Sequence, residues 1–267
     1  MMKDKEKYFF KIVIPNYNNG SWIRKCIESI ENQTFKSYHI VVVDDISDDN
    51  SREVLEDLSK EYENIDVLCL TDKRYNGGAR NVGIEYDDID SMYTLFLDSD
   101  DWYDNENVLE TIHDKITDSG YPDCVSLSYD CLIGNNKSHQ SLIRNSKEEL
   151  VSSLYVACWT KCIKSSLVVK FPENTLMEDV VQHIKQCDIL ESIVSIDSTC
   201  VVWNRNNVNS CSRVENQDLQ RGKWQSSMYR YCADLMDLEC KSECCESHRK
   251  WRLGIVLENI KNGVYLQ

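Results

Sequence analysis

Short apolar runs alternate along the first half of the chain with stretches whose apolar residues recur every three or four positions. Ile12-Val13-Ile14, Ile40-Val41-Val42-Val43 and Leu95-Phe96-Leu97 are continuous apolar runs, and Ile65 to Leu70 is apolar but for Asp66. Such runs mark strands buried on both faces of a parallel sheet. Proline has no N–H for a ladder, so Pro15 is expected to stop the first strand. Between the runs, Ile23, Cys26, Ile27 and Ile30, and then Val54, Leu55, Leu58 and Tyr62, repeat at helical spacing. Strand, helix, strand, helix, strand predicts βαβ units: an α/β fold whose mostly parallel sheet is flanked by helices. Val108, Leu109, Ile112 and Ile116 predict a further helix, and Cys124 to Leu127 a strand. Residues Ile133 to Lys147 are polar and aperiodic, a variable loop or hairpin. Trp224, Met228, Tyr231, Leu235 and Leu238, then Leu253, Val256 and Ile260, predict two helices that form a C-terminal helical extension.

The apolar runs end in polar residues. Asn16 to Gly20 follows the first, Asp44 to Asn50 the second, and Asp98-Ser99-Asp100-Asp101 the run at Leu95. Open α/β sheets bind ligands in the crevice outside the carboxyl ends of their strands. Three carboxylates within four positions repel one another, by about 1 kcal/mol per pair in water and more when partly buried. Solvent, protonation or a shared cation relieves that repulsion. Mg2+ and Mn2+ favour oxygen ligands and take one or two carboxylates together with diphosphate oxygens. Taken alone, the cluster is better explained as a solvated acidic turn that caps the next helix. In Asn76 to Ile84, Gly77 and Gly78 permit close approach to a phosphate or ribose, and Ala79 and Gly83 suit tight helix packing. Arg80 carries the planar fork that matches phosphate oxygens.

The 267 residues suffice for one large domain, or for a domain with an appendage. With 45 acidic against 30 basic residues the net charge is −15, which argues against non-specific binding to nucleic acid. Met1 to Lys7 is too highly charged for a signal peptide, and no apolar run reaches the length of a membrane span. Any membrane association is therefore expected to be peripheral. The 13 cysteines are scattered through the expected elements and read as reduced thiols, which implies a cytoplasmic protein. Cys240, Cys244, Cys245 and His248 cluster, but at none of the standard zinc spacings.

Four segments, Ile14-Pro15-Asn16-Tyr17-Asn18, Val42-Val43-Asp44-Asp45-Ile46-Ser47, Gly78-Ala79-Arg80-Asn81-Val82-Gly83-Ile84 and Phe96-Leu97-Asp98-Ser99-Asp100-Asp101, occur in that order. Together they resemble the successive motifs of family 2 glycosyltransferases with a GT-A fold. The resemblance implies a GT-A domain over 1–213, with a nucleotide-binding half at about 8–130 and an acceptor half at about 131–213. The extension would then be 214–267. It further implies that Pro15, Tyr17 and Asp45 hold the nucleoside base, Tyr17 through its aromatic face. Arg80 would lie near the nucleotide and Asp98 would contact ribose. Asp100 or Asp101 would hold the Mn2+ or Mg2+ that bridges the diphosphate. Similar proteins usually carry glycine where this chain has Ile46, and a β-branched residue resists positive φ, so the turn there is expected to differ.

Ala157 to Cys162, Phe171-Pro172-Glu173 and Met177-Glu178-Asp179-Val180 resemble the family as well. There Glu178 and Asp179 open a helix facing the sugar, and Asp179 is the candidate general base. The stabilisation of carboxylates at any helix N-terminus is the plainer explanation of the pair. Trp159 could stack on a sugar or base and Lys161 could approach the diphosphate. A core tryptophan and a solvated lysine are the alternatives. Arg205, after the Val201 to Asn204 run, resembles an arginine of the family, and His183 reads as structural.

The implied activity is that of an inverting, metal-dependent, hexosyltransferase-like enzyme. It would move a sugar from a nucleotide donor, a UDP-sugar first, to a saccharide, lipid-linked or protein acceptor in bacterial polysaccharide or glycoconjugate synthesis. Two other readings remain. A sugar-nucleotide nucleotidyltransferase would need a glycine-rich, basic phosphate loop where Pro15 to Asn19 stands. A non-catalytic nucleotide-sugar binding module would be expected to lack the acidic cluster or the Glu178–Asp179 pair.

Overall fold

β1 (Glu6–Asn16) lies inside the sheet, paired in parallel with β2 (Tyr38–Asp44) on one side and β4 (Ile89–Phe96) on the other. β3 (Ile65–Cys69) extends the parallel set beyond β2. The computed structural model describes residues 6–152, 156–173, 175, 177–210 and 230–261. Beyond β4 the sheet continues through β8 (Lys161–Lys164), β6 (Cys124–Ile133), β9 (Ile193–Asn204) and the two-residue β5 (Trp102–Tyr103). The β4–β8, β8–β6 and β9–β5 pairs are antiparallel, whereas β6 and β9 run parallel. β7 (Asn136–Gln140) folds back on β6 as a hairpin, which resolves the polar segment after Ile133. Helices α1 (Ile23–Glu31), α2 (Ser51–Glu61), α3 (Tyr75–Glu85) and α4 (Val108–Asp118) follow β1, β2, β3 and β5.

Alternation along β1 explains the two faces. Ile12 and Ile14 point into a core with Ile23, Ile27 and Leu109, while Val13 packs on the opposite face with Phe96 and Phe171. β2 is buried along its whole length, as its unbroken apolar run requires. β1 also runs through Pro15 to Asn16, contrary to the expectation that Pro15 stops it. Val13 O accepts from Leu97 N, and Asn16 O from Asp45 N. Strand alternation therefore turns the Pro15 nitrogen towards the β4 side, past the last β4 pair at Val13–Phe96, where no ladder bond is lost. The pair Gly77-Gly78 sits inside the first turn of α3.

A second core forms where α6 (Glu178–Ile189) meets the C-terminal helices. Val180, Val181, Ile184 and Cys187 of α6 pack with Leu150 and Val151 of the short α5 (Lys147–Val151). Tyr231 and Leu235 from a helical stretch over 230–237, and Val256 from α7 (Glu243–Lys261), complete it. Leu253 and Ile260 lean on the same core, whereas Trp224 and Met228 lie outside the described residues. Eight of the 12 described cysteines are buried. Among the described residues no group of three or more His, Cys, Asp or Glu, the Cys240–His248 cluster included, is arranged to hold a metal. No described helix is long and apolar enough to cross a membrane.

Candidate active site

The ends of β1, β2 and β4 converge on one edge of the sheet, and each contributes a loop. Asp44, fully buried, accepts from Asn16 Nδ2 at 3.0 Å, Ser47 Oγ at 2.5 Å and Arg52 Nε at 2.8 Å. Burial pushes its pKa up, but these hydrogen bonds outweigh burial and hold it below the usual carboxylate value. Asp45 turns the other way and caps α3. Its two oxygens accept from the backbone N–H of Arg74 and of Tyr75, each at 2.7 Å. Lys73 Nζ lies 3.2 Å from the same carboxylate and 2.8 Å from the centroid of the half-exposed Tyr17 ring. Between these anchors Ile46 adopts φ 60°, which overturns the expectation that a β-branched residue would avoid the turn. The strain costs about 1–3 kcal/mol and persists because the flanking Asp44 and Asp45 contacts fix the backbone on both sides. Tyr75 (φ 58°) and Met177 (φ 60°), at the starts of α3 and α6, are left-handed too.

The loop after β4 divides its carboxylates. Asp101 is buried and accepts from Asn204 N at 2.8 Å. Burial, then the charges of Asp100 and Asp98, push its pKa well above the usual range. Asp100 is partly exposed and accepts from Asn207 Nδ2 at 2.8 Å. Burial, with the Asp98 charge adding to it, pushes Asp100 up to about 6.

Asp98 points to Arg80, and Arg80 organises the centre. Its guanidinium is 1% exposed and donates to Asp98 Oδ1 at 2.7 Å, Glu178 Oε1 at 3.0 Å and Asp179 Oδ1 at 3.1 Å. The acidic loop after β4 and the start of α6 are therefore held on one cation, although Arg80 and Asp179 are 99 positions apart in sequence. Burial raises Glu178 to about 7, with repulsion from Asp179 adding and Arg80 opposing. Asp179 is also raised by burial, against the pull of Arg80. Close packing makes the junction possible. A Cβ on Gly77 would lie 2.6 Å from the carbonyl oxygen of Pro172 and 3.2 Å from Glu178 Cγ. A Cβ on Gly83 would overlap Val13 Cγ1. Asn81 Nδ2 donates to Phe171 O at 2.9 Å and its Oδ1 accepts from Phe171 N at 2.8 Å, pinning the segment that leads to α6.

Residues 11–167 match the family model described as glycosyl transferase family 2, more than half of the chain. The chain belongs to glycosyl transferase family 2. Among curated relatives of this family 2 chain, glycosyltransferase GlyA of Streptococcus pneumoniae is 28% identical over 225 residues, 76% of this chain and 31% of GlyA. The poly(ribitol-phosphate) beta-glucosyltransferase of Bacillus spizizenii is 41% identical over 101 residues, 37% of this chain and 16% of that protein. The chain thus spans about a third of the length of GlyA and less of the glucosyltransferase. In fold it is similar to Staphylococcus aureus TarS residues 1–349, solved with UDP-GlcNAc, at TM-score 0.71 and 20% identity over 93% of this chain and 71% of that one. It is also similar to the Pyrobaculum calidifontis mannosyltransferase PcManGT, solved with GDP-Man and Mn2+, at TM-score 0.63 and 13% identity over 98% of this chain and 76% of that one. These likenesses establish the GT-A architecture: a mostly parallel sheet flanked by helices.

Among the residues that the family resemblance nominated, Arg80, Asp98, Glu178 and Asp179 form one contact cluster, with Asp100 and Asp101 in the adjoining loop. Pro15 is buried in β1, and Tyr17 and Asp45 sit with Lys73 at the mouth between β1 and β2. Trp159 lies inside the core, edge-on to Tyr129 with 4.9 Å between ring centroids. Lys161 is fully buried, and its ammonium donates to the carbonyls of Val156 and Ala157 and to Thr160 Oγ1. Arg205 stacks over Trp203, 4.5 Å from the ring centroid. His183 is buried, with Nε2 3.0 Å from Leu150 O, and burial lowers its pKa well below the usual value.

Four asparagines to which the motifs gave no role hold the site together: Asn19, Asn81, Asn204 and Asn207. The available signal was density, since Asn204, Asn206 and Asn207 fall within four positions just where the β9 apolar run ends.

Proposed function

We propose that the chain catalyses single-displacement transfer of a sugar from a nucleoside diphosphate to an acceptor hydroxyl, with inversion at the anomeric carbon. The observation that carries this reading is the Arg80 junction, which ties a donor-side aspartate to a pair of carboxylates from the acceptor half. Asp179 takes the proton of the acceptor hydroxyl as that oxygen attacks the anomeric carbon and the bond to the diphosphate oxygen breaks. Its raised pKa makes it a better proton acceptor than an exposed aspartate once ionised. Glu178 shares the Arg80 charge and titrates with Asp179 as a pair. Asp98 faces the ribose side, and Tyr17 with Asp45 the base.

A divalent cation, Mn2+ or Mg2+, fits the acidic loop. The donors are all carboxylate oxygens, and the ionisation of Asp100 is opposed by burial and by Asp98, an opposition that a cation would reverse. One or two protein carboxylates are what such an ion takes when a diphosphate supplies its other ligands. When bound there by Asp100, with Asp101 behind it, the ion supplies positive charge to the leaving diphosphate.

A UDP-sugar is the first donor to test, supported by the likeness to TarS, which was solved with UDP-GlcNAc, although PcManGT was solved with GDP-Man. Relatives named for poly(ribitol-phosphate) glucosylation and minor teichoic acid biosynthesis support a role in building bacterial surface polymers or glycoconjugates. The acceptor class remains a saccharide, a lipid-linked molecule or a protein, with polyol-phosphate chains added for testing because of these relatives, and we assign the reaction to the cytoplasm.

The test is a panel of UDP- and GDP-sugars with Mn2+, with and without candidate acceptors, following release of free nucleoside diphosphate. Asp179→Asn is expected to abolish transfer while leaving donor affinity near wild type. Asp100→Ala is expected to abolish transfer and also to weaken metal-dependent nucleotide binding. Full transfer by Asp179→Asn would remove the assigned base.

A further inference from the structure

A closed chain of hydrogen bonds surrounds the acidic loop, and the sequence motifs contain only part of it. Asn207 is 1% exposed and donates through Nδ2 to Asp100 Oδ2 at 2.8 Å and to Asn19 Oδ1 at 2.9 Å. Asn19 in turn donates through Nδ2 to Ser99 Oγ at 2.8 Å, which returns the chain to the residue beside Asp100. The Asn207 amide has one consistent orientation, because Oδ1 accepts from Asn209 N at 3.0 Å and only Nδ2 can donate to the carboxylate. Asn204 braces the same loop from β9, giving N to Asp101 Oδ1 at 2.8 Å and Nδ2 to Asp100 O at 3.1 Å. Residue 100 is thus fixed at its main chain by Asn204 and at its side chain by Asn207, from a segment 107 positions away in sequence.

We infer that Asn207 is a positioning residue for the divalent cation: it fixes the rotamer of the Asp100 carboxylate and, through Asn19, couples that carboxylate to the loop after β1. This rests on the reading of Asp100 as the cation's ligand. The chemistry suits the task. A neutral amide donor orients a carboxylate without competing for its charge, as an ammonium or guanidinium would. It also satisfies one oxygen of a half-buried acid whose alternative is an unpaired polar atom. Asn19 follows the loop implied to hold the nucleoside base, so the same chain of bonds fixes the diphosphate end of the site relative to the base end.

The experiment measures Mn2+ binding directly, by the electron paramagnetic resonance signal of free Mn2+, on the full chain with the metal alone and with UDP or GDP added. Asn207→Ala is expected to weaken Mn2+ binding about 10- to 100-fold, the usual effect of losing a partner that orients a metal ligand. Asn19→Ala removes the far end of the chain of bonds, keeps Asn207 in place and is expected to weaken binding less, which serves should Asn207→Ala fail to fold. Donor KM should rise more than kcat falls in both variants. Wild-type Mn2+ affinity in folded Asn207→Ala, or in Asn19→Ala if only that variant folds, overturns the inference and leaves the proposed transfer intact. Absence of Mn2+ binding by the wild type, with or without nucleotide, overturns both the inference and the metal reading on which it rests.

Discussion

At the scale of single residues the centre is one cation against three carboxylates. Arg80 has two terminal nitrogens to share among Asp98, Glu178 and Asp179, so the cluster keeps excess negative charge even before Asp100 is counted. That excess, with burial foremost, is why Glu178 titrates near 7 and Asp100 near 6. The pH dependence follows with a definite sign. The Glu178 pKa rises from an ordinary 4.5 to about 7 on folding, so between those values the folded chain holds more protons than the unfolded one. The Glu178 contribution to stability must then fall as pH rises through that interval. His183 and His248, whose pKa values burial lowers, contribute with the opposite sign below about 6.5, so the readout is the comparison: in thermal melts from pH 5 to 7.5 the Tm of the wild type should fall relative to that of Glu178→Gln. The difference between the two at pH 7.5 should be about 2–4 °C, the shift that about 1 kcal/mol produces in a protein of this size. An unchanged slope in the variant would remove Glu178 as its source. Of these residues, Asp98 and Asp100 drew notice as carboxylates at a strand end, whereas Asp179 was nominated only through the family resemblance, since a carboxylate at a helix start is by itself a cap. That Arg80 turns away from solvent to bind Asp98, Glu178 and Asp179 was not legible, since nothing local specifies which partners a buried guanidinium meets.

At the scale of elements, the site depends on helix starts held in unusual geometry. α3 begins where Asp45 caps the N–H groups of Arg74 and Tyr75, and α6 begins directly after the left-handed Met177. Gly77 lets these two starts touch. Gly77→Ala places a methyl 2.6 Å from Pro172 O, a backbone atom that cannot swing aside. It is expected to destabilise the fold by about 1–3 kcal/mol, as overpacking does, and to lower transfer activity further by moving Glu178 and Asp179 off Arg80. Chemical denaturation and activity on one preparation would separate the two effects. Wild-type values for both would show that the contact is not constraining. Ile46 carries the same lesson. Intrinsic preference argued against a left-handed isoleucine, and the contacts of Asp44 and Asp45 overrode it. Pro15 shows the converse, since its missing N–H matters only on a side where a partner strand remains.

At the scale of the whole molecule, two cores lie on the shared strands β6, β8 and β9, and α6 belongs to the second: its first turn carries the candidate base while its buried face packs against the C-terminal helices. Leu235 is fully buried in that second core. Leu235→Ala should cost about 2–5 kcal/mol, as other large-to-small core changes do. It should also reduce transfer at temperatures well below Tm, because α6 loses support behind Glu178 and Asp179. Unchanged activity in a destabilised variant would show that α6 holds its place without the C-terminal helices. The sequence alone determined the alternation of strands and helices, the strand-end loops and the family, because hydrophobic period and short motifs are local properties read from neighbouring residues. Tertiary structure decided which of those loops meet, because that depends on burial and on contacts across about a hundred positions. Arg80 reaching Asp179, Asn207 reaching Asp100, and Trp159 and Lys161 lying inside the core all follow from how distant strands and helices pack together, information that no single stretch of the chain contains.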